Sequence, residues 1–120
     1  MHELGIAQSV LDAVQAEAAR HPGLKPVKIT VRIGELAAVD PEALHFSFEV
    51  LTRDTDLDGM RLEIEVCPRR HRCLDCETEF DVKDFEFHCP RCGSVHNDCI
   101  SGDQMELAYL ELEEHEPSTA

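Results

Sequence analysis

Aromatic residues are scarce: the 120-residue chain has no tryptophan, one tyrosine and five phenylalanines. That leaves little with which to build a base-stacking platform. Basic residues are also in short supply. Eleven Lys and Arg stand against 25 Asp and Glu, for a formal net charge of -14 and a pI near 4.7. A phosphate backbone would be repelled, which argues against a nucleic-acid partner. No apolar run approaches the length of a membrane span, so no membrane role is expected. The opening Met1-His2-Glu3 lacks the basic start and apolar stretch of a signal peptide, so the chain is expected in the cytoplasm. In that reducing compartment clustered cysteines signify metal more often than disulfide. A chain this long has room for one modest core, and any satellite module must be held by something else, such as a metal.

Cysteine is what the chain does have. Cys73-Leu74-Asp75-Cys76 and Cys89-Pro90-Arg91-Cys92 are two C-x2-C knuckles separated by twelve residues. Each knuckle lets two thiolates converge on one ion, and the pair completes a tetrahedron. Four sulfur ligands at Cys73, Cys76, Cys89 and Cys92 make a closed structural site that suits zinc and leaves no position for substrate. An iron centre of rubredoxin type has the same geometry, and four reduced buried cysteines are the plainer alternative.

The rest of the chain alternates helical and extended patterns. Ala7, Val10, Leu11, Val14 and Ala18 recur at helical spacing until His21-Pro22-Gly23 stops them. Val27, Ile29, Val31 and Ile33 alternate with Lys28, Thr30 and Arg32, as in a half-buried strand. Asp40 caps a second helix with Pro41 at its first position; Leu44, Phe48 and Leu51 form the inward stripe, widened by Phe46 and Val50. Leu62, Ile64 and Val66 mark a second strand. Met105 to Leu112 marks a third, apolar on both faces and therefore expected near the middle of the sheet. The predicted fold is α+β: a small three-stranded sheet with two helices on one face and an inserted four-cysteine zinc ribbon. One α/β unit, residues 1–68 plus 102–120, is thus interrupted by a metal module, residues 69–101, with hinges at Pro68-Arg69-Arg70 and Ser101-Gly102.

The N-terminus offers a second kind of metal site. With a free α-amine, Met1 and His2 can chelate a divalent ion through the amine, the His2 backbone nitrogen and a His2 ring nitrogen. Glu3 backbone nitrogen, a side chain or water would fill a fourth position. All-nitrogen tetragonal sites suit Ni(II) or Cu(II) better than zinc. Taken alone, a histidine at position 2 is most often a surface residue.

Several segments together carry a resemblance. Met1-His2-Glu3-Leu4, Ile33-Gly34-Glu35-Leu36, Asp40-Pro41-Glu42-Ala43-Leu44 and Phe46-Ser47-Phe48-Glu49 are similar to the HypA/HybF family of nickel-insertion metallochaperones. So are the two knuckles, the second followed by Gly93-Ser94, and the closing Ser101-Gly102-Asp103. The resemblance runs over nearly the whole chain in order. It implies a protein without catalytic residues that carries Ni(II) as transient cargo to the large subunit of [NiFe]-hydrogenase. It also implies a GTPase partner of HypB type and, in some organisms, urease maturation proteins. Nickel would be held by Met1, His2 and Glu3, and structural Zn(II) by Cys73, Cys76, Cys89 and Cys92. The chain departs from the family's plainest pattern at Asp103-Gln104, where many members have Arg-Glu, and in the additional Cys67 and Cys99.

His71 and His88 flank the cysteines without being needed by them, and are expected to face solvent or support the shell. His45 and His96 are expected on the surface, and Glu35 and Glu42 lack the nucleophile that acid/base work would serve. Cys67 and Cys99 are expected as free thiols, with a reversible disulfide at the ribbon base as the alternative. The rival function is a zinc-ribbon adaptor that docks proteins and carries no nickel. An iron redox protein and a zinc hydrolase are further alternatives.

Overall fold

A computed structural model describes residues 3–114 of the chain. Helix α1, Glu3–Ala19, buries Ile6, Ala7, Val10, Leu11 and Val14 along one stripe. It ends where the sequence stops favouring it: main-chain N–H groups of Arg20 and His21 turn back onto Glu17 and Ala18, and Gly23 takes φ +89°. Helix α2, Pro41–Thr52, begins at Asp40, whose Oδ1 accepts from the N–H groups of Glu42 (3.0 Å) and Ala43 (3.4 Å). Leu44 is 0 % exposed and Phe48 is buried beside it. Phe46 and Val50 are not part of this stripe. Two residues along an α-helix turn about 200°, so both point away from Leu44 and Phe48, and Phe46 is 66 % exposed.

Strands β1 (Leu24–Gly34), β2 (Arg61–Cys67) and β6 (Met105–Glu114) form a sheet in the order β2-β1-β6. Strand β6 is therefore an edge strand rather than the central one. Its Ala108, Leu110 and Leu112 are half-buried, whereas Met105, Leu107 and Tyr109 are exposed, so apolar character on both faces did not mean burial on both. The centre is β1, which buries Ile29, Val31 and Ile33 on one face and Thr30 on the other. It is thus more deeply buried than its alternation implies. Lys28 pairs with Glu63 and Arg32 with Glu65, cross-strand ion pairs that join β1 to β2. The Lys28 ammonium is held above its ordinary range, first by the Glu63 hydrogen bond. The β2 alternation holds through Ile64 and fails at Val66, which is exposed.

A second sheet, β4-β3-β5, is made of β3 (Arg70–Cys73), β4 (Glu79–Asp81) and β5 (Asn97–Ser101). Both neighbours run antiparallel to β3, with a register irregularity between Arg70 and His71 on the β5 side. Its buried cluster is small: Phe80 and Val82 with Cys73 and Cys89. The chain divides into two compact units. The first takes in residues up to Val31, Val39–Ile64 and the segment from Leu107; the second is Arg32–Ala38 with Glu65–Glu106. The first holds both helices. The second holds the β4-β3-β5 sheet and all six cysteines.

Within the second unit, two glycine segments cross at van der Waals contact. Gly34 N–H donates to Gln104 O at 2.8 Å and Leu36 N–H to Gly102 O at 2.7 Å. A Cβ on Gly34 would fall 2.0 Å from that Gly102 oxygen. The glycines of Ile33-Gly34-Glu35-Leu36 and Ser101-Gly102-Asp103 are there because only bare backbone fits. Glu35 completes the crossing: its Oε1 accepts the Arg69 N–H at 3.1 Å and pairs with the Arg69 Nε at 3.2 Å.

Candidate metal centres

The two knuckles fold by the same rule. In the first, Cys73 N–H donates to Thr78 O (2.9 Å) and Glu77 N–H returns to Cys73 O (3.0 Å). In the second, Cys89 N–H donates to Ser94 O and Gly93 N–H returns to Cys89 O, both at 2.8 Å. The residue that closes each turn has positive φ, +64° at Glu77 and +77° at Gly93. Glycine serves the second turn without strain, and Glu77 accepts the left-handed conformation in the first. Each turn also aims an amide at sulfur: Cys76 N–H at Cys73 Sγ (3.5 Å) and Arg91 N–H at Cys89 Sγ (3.4 Å). Leu74 N–H donates to His96 O at 2.8 Å, and the Ser94 hydroxyl donates to Asp75, so the knuckles are tied to each other.

Four sulfurs meet as a result. Cys73 and Cys92 Sγ are 3.5 Å apart, Cys76 and Cys89 Sγ 3.6 Å, and all four lie within 4.8 Å of one another. A tetrahedron with metal–sulfur bonds of about 2.3 Å has edges of about 3.8 Å, so the cluster fits a metal ion such as zinc without rearrangement. The electrostatics call for a cation. Thr78 hydrogen bonds, side chain first and then backbone, pull the Cys76 thiol down to about 6. At Cys92 the Ser94 backbone hydrogen bond pulls down, but Cys73, burial, Cys76 and Cys89 together push the thiol up to about 12. Four thiolates cannot share this volume until a divalent ion neutralises them.

His71 is 7 % exposed, so it does not face solvent. Its Nδ1 lies 2.6 Å from Asn97 Oδ1, and Asn97 Nδ2 donates to Phe87 O at 2.6 Å. The His71 ring packs against Phe80 and Phe87, and the Arg69 guanidinium stacks on Phe87. No sequence signal marked Asn97 or the Glu35–Arg69 pair. His96 is exposed and lies near Asp75 (3.6 Å), while His45 and His88 are exposed. Cys99 pairs in register with His71, four residues beyond Cys67. Both Cys67 and Cys99 are free thiols, not the disulfide that was the alternative.

Of the N-terminal donors, Met1 and His2 lie outside the described residues. Glu3 opens α1, in the turn whose amides the intrahelical ladder does not use. Its Oε2 accepts the N–H of Asp40 at 3.1 Å, which fastens the start of α1 to the N-cap of α2. Among the described residues the four cysteines are the one group of metal-ligating side chains placed to hold an ion. No helix among them is long and apolar enough to cross a membrane.

Comparison with known proteins agrees with this architecture. The family model described as hydrogenase/urease nickel incorporation, metallochaperone, HypA matches residues 1–112. A hydrogenase maturation factor HypA from Geobacter metallireducens is 40% identical over 113 residues, 94% of this chain and 100% of that one. One from Solidesulfovibrio magneticus is 44% identical over 117 residues, again 94% of this chain and 100% of that one. In fold, the chain is similar to the solution structure of the Ni metallochaperone HypA from Helicobacter pylori. The TM-score is 0.64 at 24% identity, over 96% of this chain and 100% of that one.

Proposed function

This chain belongs to the HypA family of hydrogenase/urease nickel-incorporation metallochaperones, and from that premise we propose that it binds Ni(II) at its N-terminus and hands it to the [NiFe]-hydrogenase large subunit. Met1 supplies the α-amine, His2 its backbone and ring nitrogens, and Glu3 its backbone nitrogen. Cys73, Cys76, Cys89 and Cys92 hold a structural Zn(II). Residues 69–101 are the zinc module and residues 1–68 plus 102–120 the nickel-bearing part. The work is done in the cytoplasm with a GTPase of HypB type, and no reaction is catalysed.

One observation carries this reading: four sulfurs converge on one point, and a tetrahedral ion held by all four would have no position left to offer cargo. A carrier must let an incoming ligand attack before the old ones have left, which an exposed and incompletely filled terminal site permits. Nitrogen donors there favour Ni(II) over the zinc that the thiolates select. The Glu3–Asp40 hydrogen bond supports the assignment by holding the first described residue against α2.

His2→Ala removes the ring donor and its chelate. Nickel titration of the untagged variant is expected to show at least a hundredfold weaker binding than wild type, with bound zinc and the helical circular dichroism unchanged. Unaltered nickel affinity would favour the docking adaptor.

A further inference from the structure

Strand β6 is paired on one side only. Strand β1 takes up that side, and among the described residues no strand lies on the other. The unpaired N–H and C=O groups of such an edge are a template for another chain, and natural proteins blunt them with short strands, lysine or proline. Strand β6 is long, ten residues from Met105 to Glu114, and contains no lysine, proline or glycine. Beside it lies a groove of about 470 Å³, lined by Ala13 and Val14 of α1 and by Ala108, Leu110 and Leu112 of the strand. Those three strand residues are half-buried, so α1 covers this face only in part. The lining also takes in Leu107 and Tyr109, which alternate onto the strand's other face and are exposed, so the groove opens around the unpaired edge.

Charge decides what fits there. Glu111 and Glu113 share the outward face with Leu107 and Tyr109, and both are exposed. Neither is in an ion pair: Lys28 feels the field of Glu111, but its ammonium is held by Glu63. A second copy of β6 laid along the edge would bring like charges together. We propose that the β6 edge receives an extended basic segment of another protein, which joins the sheet as an added strand. The groove and the glutamates set its alternation, with apolar side chains turned inward beside Ala108 and Leu110 and Lys or Arg outward beside Glu111 and Glu113. Main-chain hydrogen bonds supply the affinity, and the carboxylates choose the partner. No residue assigned to either metal takes part, so this surface stands or falls apart from nickel carriage.

The probe is a short synthetic peptide alternating valine with lysine, titrated into the full zinc-loaded chain and followed by amide NMR and hydrogen exchange. Amides of residues 107–113 are expected to shift, and alternate ones to exchange at least tenfold more slowly at saturation. The same peptide with glutamate for lysine should not bind. Glu111→Lys combined with Glu113→Lys should weaken the lysine peptide at least tenfold while the amide spectrum of α1 stays as in wild type. Methylating alternate peptide nitrogens along one edge should abolish binding, because it removes the donors of the shared ladder. Binding that survives this methylation, or shifts spread over the whole acidic surface, would reduce the effect to charge attraction and overturn the proposal. Absence of binding would overturn it too, leaving the glutamates only to keep the edge single. Exchange in residues 107–113 that slows with protein concentration alone would make a second copy the occupant and likewise overturn it.

Discussion

Cys89→Ser is expected to release the metal and unfold the four-cysteine module while α1 and α2 remain folded. The module's buried cluster offers only Phe80 and Val82 besides its cysteines. Burying two such side chains contributes about 3–6 kcal/mol before any chain entropy is counted. A structural zinc site contributes about 10–16 kcal/mol at neutral pH, so the ion outweighs the core. Metal analysis should find less than one zinc per chain, and amide NMR should lose dispersion for residues 70–101 while residues of α1 keep theirs. Acid should act in the same direction. The Cys92 thiol, at about 12 without a cation, must give up its proton for the site to form. Binding therefore releases protons and weakens as pH falls. Retention of a folded, zinc-loaded module by Cys89→Ser would contradict the account.

Gly34→Ala has the next largest expected effect. The added methyl would lie 2.0 Å from Gly102 O and 2.3 Å from its carbonyl carbon, which are backbone atoms unable to swing aside. The two segments would have to separate, breaking the Gly34–Gln104 and Leu36–Gly102 hydrogen bonds. A loss of about 3 kcal/mol or more is expected in urea unfolding. Gly59→Ala is the control: its Cβ would meet nothing within 4 Å, so only the left-handed conformation at φ +87° is penalised, by about 1–2 kcal/mol. Equal losses in the two variants would show that the close approach of Gly34 to Gly102 is not what stabilises this crossing.

What the sequence revealed follows from which forces are local. The knuckle spacing, the Asp40-Pro41 cap and the stripes of α1 and α2 are short-range patterns, and the structure contains each of them. Features set by distant residues were hidden. Strand β6 has the composition of a central strand, yet its place at the edge depends on which strand β1 pairs with on its other side. His71 reads as a bystander until Asn97 and Phe87 fold over it. Phe46 stands two residues from both Leu44 and Phe48, a spacing that turns it away from their face of the helix. The glycines at 34 and 102 are recognisable as part of a family pattern, but their reason is a backbone crossing between segments far apart in the chain.

The contrast between an open nitrogen site and a sealed sulfur site is tested most directly by one titration. Ni(II) is added to the zinc-loaded chain with its α-amine free, and to the same chain acetylated at Met1. The free chain should take up one nickel at micromolar concentration with the absorption of a nitrogen-ligated tetragonal ion, and the acetylated chain should not. Equal uptake by both, or nickel that displaces zinc from the cysteines, would contradict it.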